Sequence, residues 1–398
     1  MSPPPRGFIA TAFLIFSTHL EPDPRRQSTC LTGDAFLGTR SPAPGSGPMV
    51  LMQARLLLFT LILIGCESTK PARPGSRQLD SHQSNLAPRR SPGLPTVTAM
   101  KGTEALSPPD DPGKFTFVVF GDNRPAKGEP QPETIKEIFT EINELHPAFA
   151  ISLGDIIEGK PKSDDPHAMR RVRQQFKDVL ALAVTAGVPI FNAPGNHEMD
   201  DEEDIPTERM HELYRECVGP TYGAFDHGNS RFVILNTEDV PAAGTTRPPK
   251  DEEFSFISPE QLAQLEADLE ANRGKAHVFI AMHYPIHGRY EGPPESAWDD
   301  RLHPQSRKAL VEMFEGFDNI AYVMAAHEHL YFNPQSPEDV TNVPGWNVGD
   351  PTVYLVSGGA GAPLNDGKWG FHHYLVFSVD GDEVTVRLVK LEGKGSSS

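Results

Sequence analysis

The chain has 398 residues and a formal net charge of −18, with 54 acidic side chains against 36 basic ones. This balance argues against strong nucleic-acid binding, which needs a basic surface. It does not exclude a small phosphorylated substrate, because a bound metal ion can invert the local field. The three cysteines form no CxxC pair, so they indicate no cysteine-based metal site.

The N-terminal region contains one apolar run, 56–65 (LLLFTLILIG), which is too short to span a bilayer. The run follows a basic residue and ends at Cys66, a pattern that resembles a bacterial signal peptide with a lipobox. The alternative is a buried helix that ends at a chance cysteine. We expect a signal peptide over 49–66 that starts at Met49 or Met52. A lipid on the cysteine would then anchor an exported protein to the membrane of the bacterial cell envelope, periplasmic or outer-membrane.

The segments around this run are polar. Residues 1–48 are rich in Pro, Ser and Gly, and we interpret them as a non-native or disordered extension ahead of the true start. Residues 67–113 contain few large apolar side chains, too few to offset the entropy lost on ordering, so we predict a disordered linker. The folded domain is predicted over 114–393, with a short tail at 394–398.

From residue 114 onward, strand and helix patterns alternate. Short apolar runs at 115–120, 148–153 and 188–192 predict strands, and apolar residues at helical spacing predict helices over 132–146 and 166–186. This alternation implies right-handed crossovers and a largely parallel sheet core.

The second half of the domain is predicted to be mixed. A helix is expected to start at Pro259, with Ser258 as its N-cap. Asp380-Gly381 is typical of a hairpin turn. The remaining patterns predict strands at 232–236, 278–282 and 321–325, a helix near 304–315, and strands near 352–357, 372–379 and 383–391.

Five of the predicted strands stop at loops that carry Asp, Asn or His. In open α/β sheets, ligands bind beyond the carboxyl ends of the strands, so these loops are expected to converge on one site. The loop sequences are Gly121-Asp122-Asn123-Arg124, Gly154-Asp155-Ile156-Ile157-Glu158, Gly195-Asn196-His197-Glu198, Met282-His283-Tyr284-Pro285 and Ala326-His327-Glu328-His329.

These five sequences, in this order, resemble the motifs of the calcineurin-like metallophosphoesterase family, which includes the purple acid phosphatases. The segment 222–237 is similar to the hairpin that the family has between its third and fourth motifs. The resemblance implies an α/β fold. The expected architecture is a four-layer sandwich of two mixed β-sheets flanked by helices, with a dinuclear metal site at the carboxyl ends of the strands.

The resemblance also implies a role for each site residue. Asp155 would bridge two metal ions. The other ligands would be Asn196, His283 and His327 at the second metal, and Asp122 and His329 at the first. Imidazole and carboxylate ligands suit Mn, Fe or Zn. His197 would be a catalytic residue that contacts the phosphate or helps to protonate the leaving group, with Glu198 orienting its ring.

Two positions depart from the family pattern. The first motif usually reads Asp-x-His, and Arg124 stands where that histidine would ligate; a guanidinium cannot ligate a metal. Glu158 could replace the missing ligand, the arginine could point at the substrate as a catalytic residue, or the first metal could bind weakly. The structural alternative for Arg124 is a salt bridge to a neighbouring acid such as Glu158. The second departure is Ala326, which stands in place of the family's usual glycine before His-x-His. The change matters only if the backbone at that position needs a positive φ.

These observations predict metal-dependent hydrolysis of phosphate esters, in which a dinuclear centre activates water for in-line attack on phosphorus. The substrate would be a phosphorylated small molecule or a phosphodiester. A lipid-anchored metal- or phosphate-binding protein with little turnover is the main alternative, and an envelope scaffold is a third. Substrate choice is expected to depend on the loops 124–132, 159–166, 238–257 and 287–303.

Overall fold

The computed structural model describes residues 92–203, 206–240, 255–288, 302–333, 352–365 and 368–391. The predicted extension, the signal segment with Cys66, part of the predicted linker and the tail lie outside the described residues. So do large parts of the predicted substrate loops 238–257 and 287–303. In the part of the chain that is described, no helix combines the length and the apolar character that crossing a bilayer requires.

The described residues form strands and helices close to those predicted. In chain order they are β1 (Lys114–Phe120), α1 (Glu133–Leu145), β2 (Phe149–Ser152), α2 (Pro166–Ala183), β3 (Ile190–Asn192), α3 (Asn196–Met199), α4 (Glu208–Cys217), β4 (Gly223–His227), β5 (Ser230–Ile234), α5 (Pro259–Ala271), β6 (His277–Ala281), α6 (Pro304–Phe314), β7 (Ile320–Ala325), β8 (Tyr331–Phe332), β9 (Val353–Ser357), β10 (His373–Asp380) and β11 (Glu383–Lys390). A 3-10 turn over Val184–Ala186 extends α2.

These strands form two mixed sheets. The first has the order β11-β10-β1-β2-β3, with β1, β2 and β3 parallel, β10 antiparallel to β1, and β11 antiparallel to β10. The second has the order β4-β5-β6-β7-β9-β8, with β5, β6, β7 and β9 parallel and an antiparallel strand at each edge. The predicted parallel core is therefore present in both sheets, and each sheet is completed by antiparallel strands.

The alternation of side chains along β1 shows how the layers stack. Val118 and Phe120 pack with α1, α2 and α4 in one apolar core. Phe117 and Val119 point the other way, as the period of two in a strand requires, and pack in a second core against the other sheet. A third core joins the far face of that sheet to α5 and α6. The order helix, sheet, sheet, helix is the predicted four-layer sandwich.

The core between the sheets is built on phenylalanine. The ring of Phe117 is fully buried and meets rings from both sheets at centroid distances of 4.7–5.3 Å, either stacked or edge-on. Its partners are Phe149, Phe232, Phe279 and Phe377. Aromatic pairs in these geometries stabilise a core beyond the effect of their buried area. The two sheets are thus held face to face directly below the strand ends that carry the polar loops.

Residues 92–113 correct the predicted linker, because the structure packs them on the domain. Leu94, Val97 and Met100 are buried. The backbone of this segment is bonded to strands of both sheets. The N–H of Ala224 in β4 donates to Pro95 O over 2.8 Å, and the N–H of Met100 donates to Ile190 O in β3 over 2.7 Å. Three apolar side chains and long-range backbone hydrogen bonds are enough to order a segment whose local composition is polar.

A buried histidine behind the polar loops makes the stability of the fold depend on pH. Nδ1 of His373 donates to Phe371 O over 2.8 Å, and its Nε2 lies 3.0 Å from the hydroxyl oxygen of Ser357. Both ring nitrogens of the neutral histidine therefore have a hydrogen-bond partner. Burial lowers its pKa to about 4. The unfolded chain takes up a proton near pH 6.5, whereas the native ring does so only near pH 4, so acidification favours the unfolded state.

We expect the free energy of unfolding to fall by about 3 kcal/mol between pH 7 and pH 4 through His373 alone. Urea unfolding in EDTA at several pH values should show this loss in the wild-type chain and a smaller loss in His373→Asn. The exposed His167→Asn serves as the control. Equal pH dependence in wild type and His373→Asn would contradict the assignment.

Candidate metal centre

The six predicted metal ligands follow the carboxyl ends of strands in both sheets. Asp122 follows β1, Asp155 follows β2, and Asn196 is the first residue of α3 after β3. His283 follows β6 in the other sheet, and the two remaining histidines follow β7. The structure therefore brings loops from five parallel strands to one place at the shared edge of the two sheets.

Ligand atoms of Asp155, His283 and Asn196 converge closely. Nε2 of His283 lies 3.3 Å from Asp155 Oδ1 and 3.2 Å from Asn196 Oδ1. Nδ1 of His327 lies 3.2 Å from the same Nε2. Ligand atoms of Asp122, Asp155 and His283 all lie within 4.8 Å of one another, and all three residues are buried. The geometry is suited to holding a metal ion.

The hydrogen bonds of His283 show that its Nε2 presents a lone pair. Its Nδ1 donates to Leu153 O over 2.7 Å, and burial lowers the pKa of the ring, so the neutral Nδ1–H tautomer is favoured. Oδ1 of Asn196 and Nε2 of His283 are then two acceptors that face each other. Rotating the amide would relieve this by aiming its NH₂ at His283 and Asp155 and its oxygen at Lys160 Nζ, 2.9 Å away. A cation between the two acceptors would relieve that contact, so the donor set fits a metal, whereas the NH₂ group of the unrotated amide still faces Lys160 Nζ.

Asp122 and His329 form the second part of the cluster. Both carboxylate oxygens of Asp122 are buried and accept no well-formed hydrogen bond, although the backbone N–H of His327 lies near enough to lower its pKa. Nε2 of His329 lies 3.7 Å from Asp122 Oδ1, while its Nδ1 donates to Pro363 O over 2.7 Å. A buried carboxylate without good donors is costly unless a cation compensates it.

The ionisable side chains of the cluster shift one another's pKa values. Burial alone would raise the pKa of Asp155, but the neighbouring side chains of His197, His283 and Arg124 favour its ionised form and hold that pKa well below its usual range. Burial, with the nearby charge of Asp155, raises the pKa of Asp122 well above its usual range. Burial lowers the pKa of all the predicted histidine ligands, which keeps their rings neutral and available to a metal.

The backbone at the predicted ligands is unusual. Asp122, Asp155, His327 and His329 have positive φ angles of 56°, 55°, 69° and 47°. Such conformations cost non-glycine residues energy and are found where the surrounding structure enforces them, frequently at functional sites. Ala326 is not among these residues, so its methyl group meets no backbone strain.

Glu198 holds the loops of the site rather than the ring of His197. Its buried carboxylate accepts backbone hydrogen bonds of 2.8–3.2 Å from the N–H groups of Asp155, Ile156, Ile157 and Gly195. Burial, with the charge of Asp155, raises the pKa of Glu198 to about 8, and the backbone donors oppose that shift. The ring of His197 is oriented instead by the carbonyl of Glu158, which faces its Nδ1.

Arg124 lies against Asp155, not against Glu158. Its Nε is 3.3 Å from Asp155 Oδ2. The carboxylate of Glu158 instead accepts from the backbone N–H of Gly128 over 3.1 Å and from Gln175 Nε2 over 3.3 Å. The structure therefore does not bring Glu158 into the cluster of predicted ligand atoms, and the neighbouring acid that pairs with Arg124 is Asp155.

Sequence reasoning missed Lys160. Its φ is +43°, and its Nζ lies 2.9 Å from the side-chain amide of Asn196, beside the ligand cluster. It stands two residues after Glu158 in a loop that the sequence singled out only as a substrate loop. A lysine that follows a glycine in the loop after a motif strand is the signal that could have indicated it.

Comparisons with known proteins agree with this geometry. The calcineurin-like phosphoesterase family matches residues 115–331. A probable cyclic nucleotide phosphodiesterase of Vesicomyosocius okutanii is 20% identical over 209 residues, which cover 52% of this chain and 73% of that protein. A second one, from Ruthia magnifica, is 21% identical over 154 residues, 39% of this chain and 55% of that protein.

Two solved structures are also similar. A dimetal phosphatase from Danio rerio aligns over 70% of this chain and 99% of its own, with a TM-score of 0.45 and 16% identity. PhoD aligns over 74% of this chain and 75% of its own, with a TM-score of 0.47 and 14% identity. The family match covers more than half of the chain and includes all five motif loops. The chain belongs to the calcineurin-like phosphoesterase family.

Proposed function

We propose that this chain hydrolyses phosphate esters with two metal ions bound where the carboxyl ends of the two sheets meet. The observation that carries the proposal is the convergence of Asp155 Oδ1 and Asn196 Oδ1 on Nε2 of His283, at 3.3 Å and 3.2 Å. A cation compensates such an arrangement. Family membership supports phosphoester hydrolysis as the reaction.

The residues divide into two sets around Asp155. Asn196, His283 and His327 would hold one metal with it, and Asp122 and His329 would hold the other. The donor set of imidazole, carboxylate and amide oxygen suits Mn, Fe or Zn. When bound, the metals would supply Lewis-acid activation of water and of the phosphate group.

Three side chains beside the ligands would act on the substrate itself. Arg124 and Lys160 place positive charge at the cluster, where a phosphate oxygen can accept their hydrogen bonds. His197 directs Nε2 toward the same space, 3.8 Å from Asp155 Oδ2. Burial lowers its pKa to about 4, so the free site presents a neutral ring, and an anionic phosphate would favour its protonated, donating form.

The ester class is part of the proposal. The site is compatible with monoesters and diesters, and the names of the two curated relatives favour including a cyclic nucleotide among the substrates tested.

We also propose that the chain is exported and lipid-anchored in a bacterial envelope. The support for this is the apolar run before Cys66.

We expect the full-length chain with Mn²⁺ to hydrolyse a chromogenic phosphomonoester, a chromogenic phosphodiester or a cyclic nucleotide. Asn196→Ala should lower kcat/KM by about 10²-fold or more, since a ligand lost from a catalytic metal removes several kcal/mol of transition-state stabilisation. Asn272→Ala, which changes a partly buried asparagine at the end of α5, is the matched control.

The competing function makes a different prediction from the same samples. Because Arg124 lies against Asp155, the alternative is a binding protein whose first metal site is weak. A folded wild-type chain that retains one metal ion and turns over none of the esters would reject the hydrolase proposal in its favour.

A further inference from the structure

A cleft of about 440 Å³ opens beside the predicted ligands. Its walls are the loop after β1, the loop after β2, the first turns of α2 and the loop between α3 and α4. Its charged lining consists of five basic side chains, Arg124, Lys127, Lys160, Lys162 and Arg171, and two carboxylates, Glu158 and Glu202. This excess of positive charge is local, because the whole chain has a formal net charge of −18.

The two carboxylates do not cancel the positive charge of the cleft. Glu158 is held by neutral donors, the backbone N–H of Gly128 and the amide of Gln175. Glu202 lies 3.5 Å from Lys162 Nζ, but their side chains are 44% and 73% exposed, so solvent screens that pair strongly. The lining therefore keeps an excess of positive charge, with five basic side chains against two carboxylates.

The cleft is continuous with the predicted catalytic groups. Arg124 and His197 line it, and both also lie against Asp155, at 3.3 Å and 3.8 Å. A phosphate group contacting these two residues would have the rest of its molecule beside the cleft. Lys127, Lys162 and Arg171 are exposed and line the same cleft, and we call them the outer cations.

We propose that the physiological substrate carries a second phosphate group, which binds to the outer cations while the scissile phosphate lies at the metal centre. Arginine and lysine are the side chains that recognise phosphate, and a cleft of this volume is larger than one phosphate needs. The net charge of the chain favours a small bisphosphorylated molecule over a nucleic acid. This inference rests on the proposed function, because it specifies the substrate of that same site.

The test compares 1,3-propanediol bisphosphate with propyl phosphate, which differ by one phosphate group. With Mn²⁺ present, we expect the wild-type chain to prefer the bisphosphate in kcat/KM by roughly tenfold, which corresponds to about 1.4 kcal/mol. The triple variant Lys127→Gln, Lys162→Gln, Arg171→Gln should lose most of this preference. A control variant with the same change in charge, Lys114→Gln, Lys136→Gln, Lys308→Gln, should keep it, since these lysines do not line the cleft.

A binding measurement separates the inference from the proposed hydrolysis. Calorimetry in EDTA should show tighter binding of the bisphosphate than of the monophosphate to the wild-type chain, and a smaller difference in the triple variant. If the wild type hydrolyses propyl phosphate but shows no preference in rate or binding, the second phosphate site is wrong and the hydrolase stands. If no ester is hydrolysed but the binding difference is present, the cleft stands and the hydrolase fails. An equal loss of preference in both triple variants would overturn the cleft.

Discussion

Replacing Asp155 by asparagine is expected to abolish phosphate-ester hydrolysis. The carboxylate lies within 3.3–3.8 Å of nitrogen atoms on His283, Arg124 and His197, and nearby cationic side chains hold its pKa low. An amide of the same shape can still accept the 3.1 Å hydrogen bond from the backbone N–H of His197, but it supplies no charge to two metals. We expect kcat/KM to fall by about 10³-fold or more, because metal ions supply several kcal/mol of transition-state stabilisation.

The measurement is kcat/KM together with the number of metal ions bound per chain. Asp226→Asn is the control, because it removes the same charge from a half-exposed side chain that pairs with Arg231 on the surface. The prediction fails if Asp155→Asn retains both its metal content and its rate. It would also fail if the control lost as much activity, because the effect would then be one of net charge.

Replacing Glu198 by alanine is expected to destabilise the fold more than any other single change proposed above. The substitution leaves four backbone N–H groups in a fully buried loop region without their acceptor. Buried N–H groups that have lost their acceptor cost roughly 4 kcal/mol in total. The same hydrogen bonds fix the backbone of Asp155 and of the loop that begins at Gly195, so metal affinity should fall as well.

Urea unfolding in EDTA measures the first effect, and a metal titration of the folded variant measures the second. Glu198→Gln should lie between wild type and alanine, because it keeps one acceptor oxygen. Glu144→Ala, at an exposed position of α1, is the control and should change stability little. A Glu198→Ala chain as stable as the control would show that other groups satisfy these donors.

Local sequence patterns predicted most strands and helices because the buried strands are short apolar runs and the helices carry apolar residues at helical spacing. The start of α5 is an example, since Ser258 accepts from Gln261 N and Pro259 is the first helical residue, as predicted. Helix α4 was missed although Thr207 caps it and Met210, Leu213 and Tyr214 repeat at helical spacing. That signal is short, and acidic residues interrupt it.

The candidate site was predictable only as a set of strand ends. Each motif loop follows a predicted strand, and the carboxyl ends of parallel strands meet at one edge of a sheet. The positions of Asp122, Asn196 and His283 at that edge therefore follow from the sequence. Contacts between separate loops were not predictable, which is why the partners of Glu198 and Arg124 differ from those expected. The roles of the ligands and the lipid anchor remain predictions.

The place of β1 in its sheet has a consequence for the order in which the protein can mature. β1 lies between β2 and β10, with Lys114 opposite Asp380 and Val119 opposite Leu375. The loop after β1 carries Asp122, so the strand that fixes this residue gains its second neighbour only after the C-terminal hairpin has been synthesised. Such distant pairings form slowly and late. We therefore expect the loop that carries Asp122 to reach its final conformation only after β10 and β11 have left the ribosome.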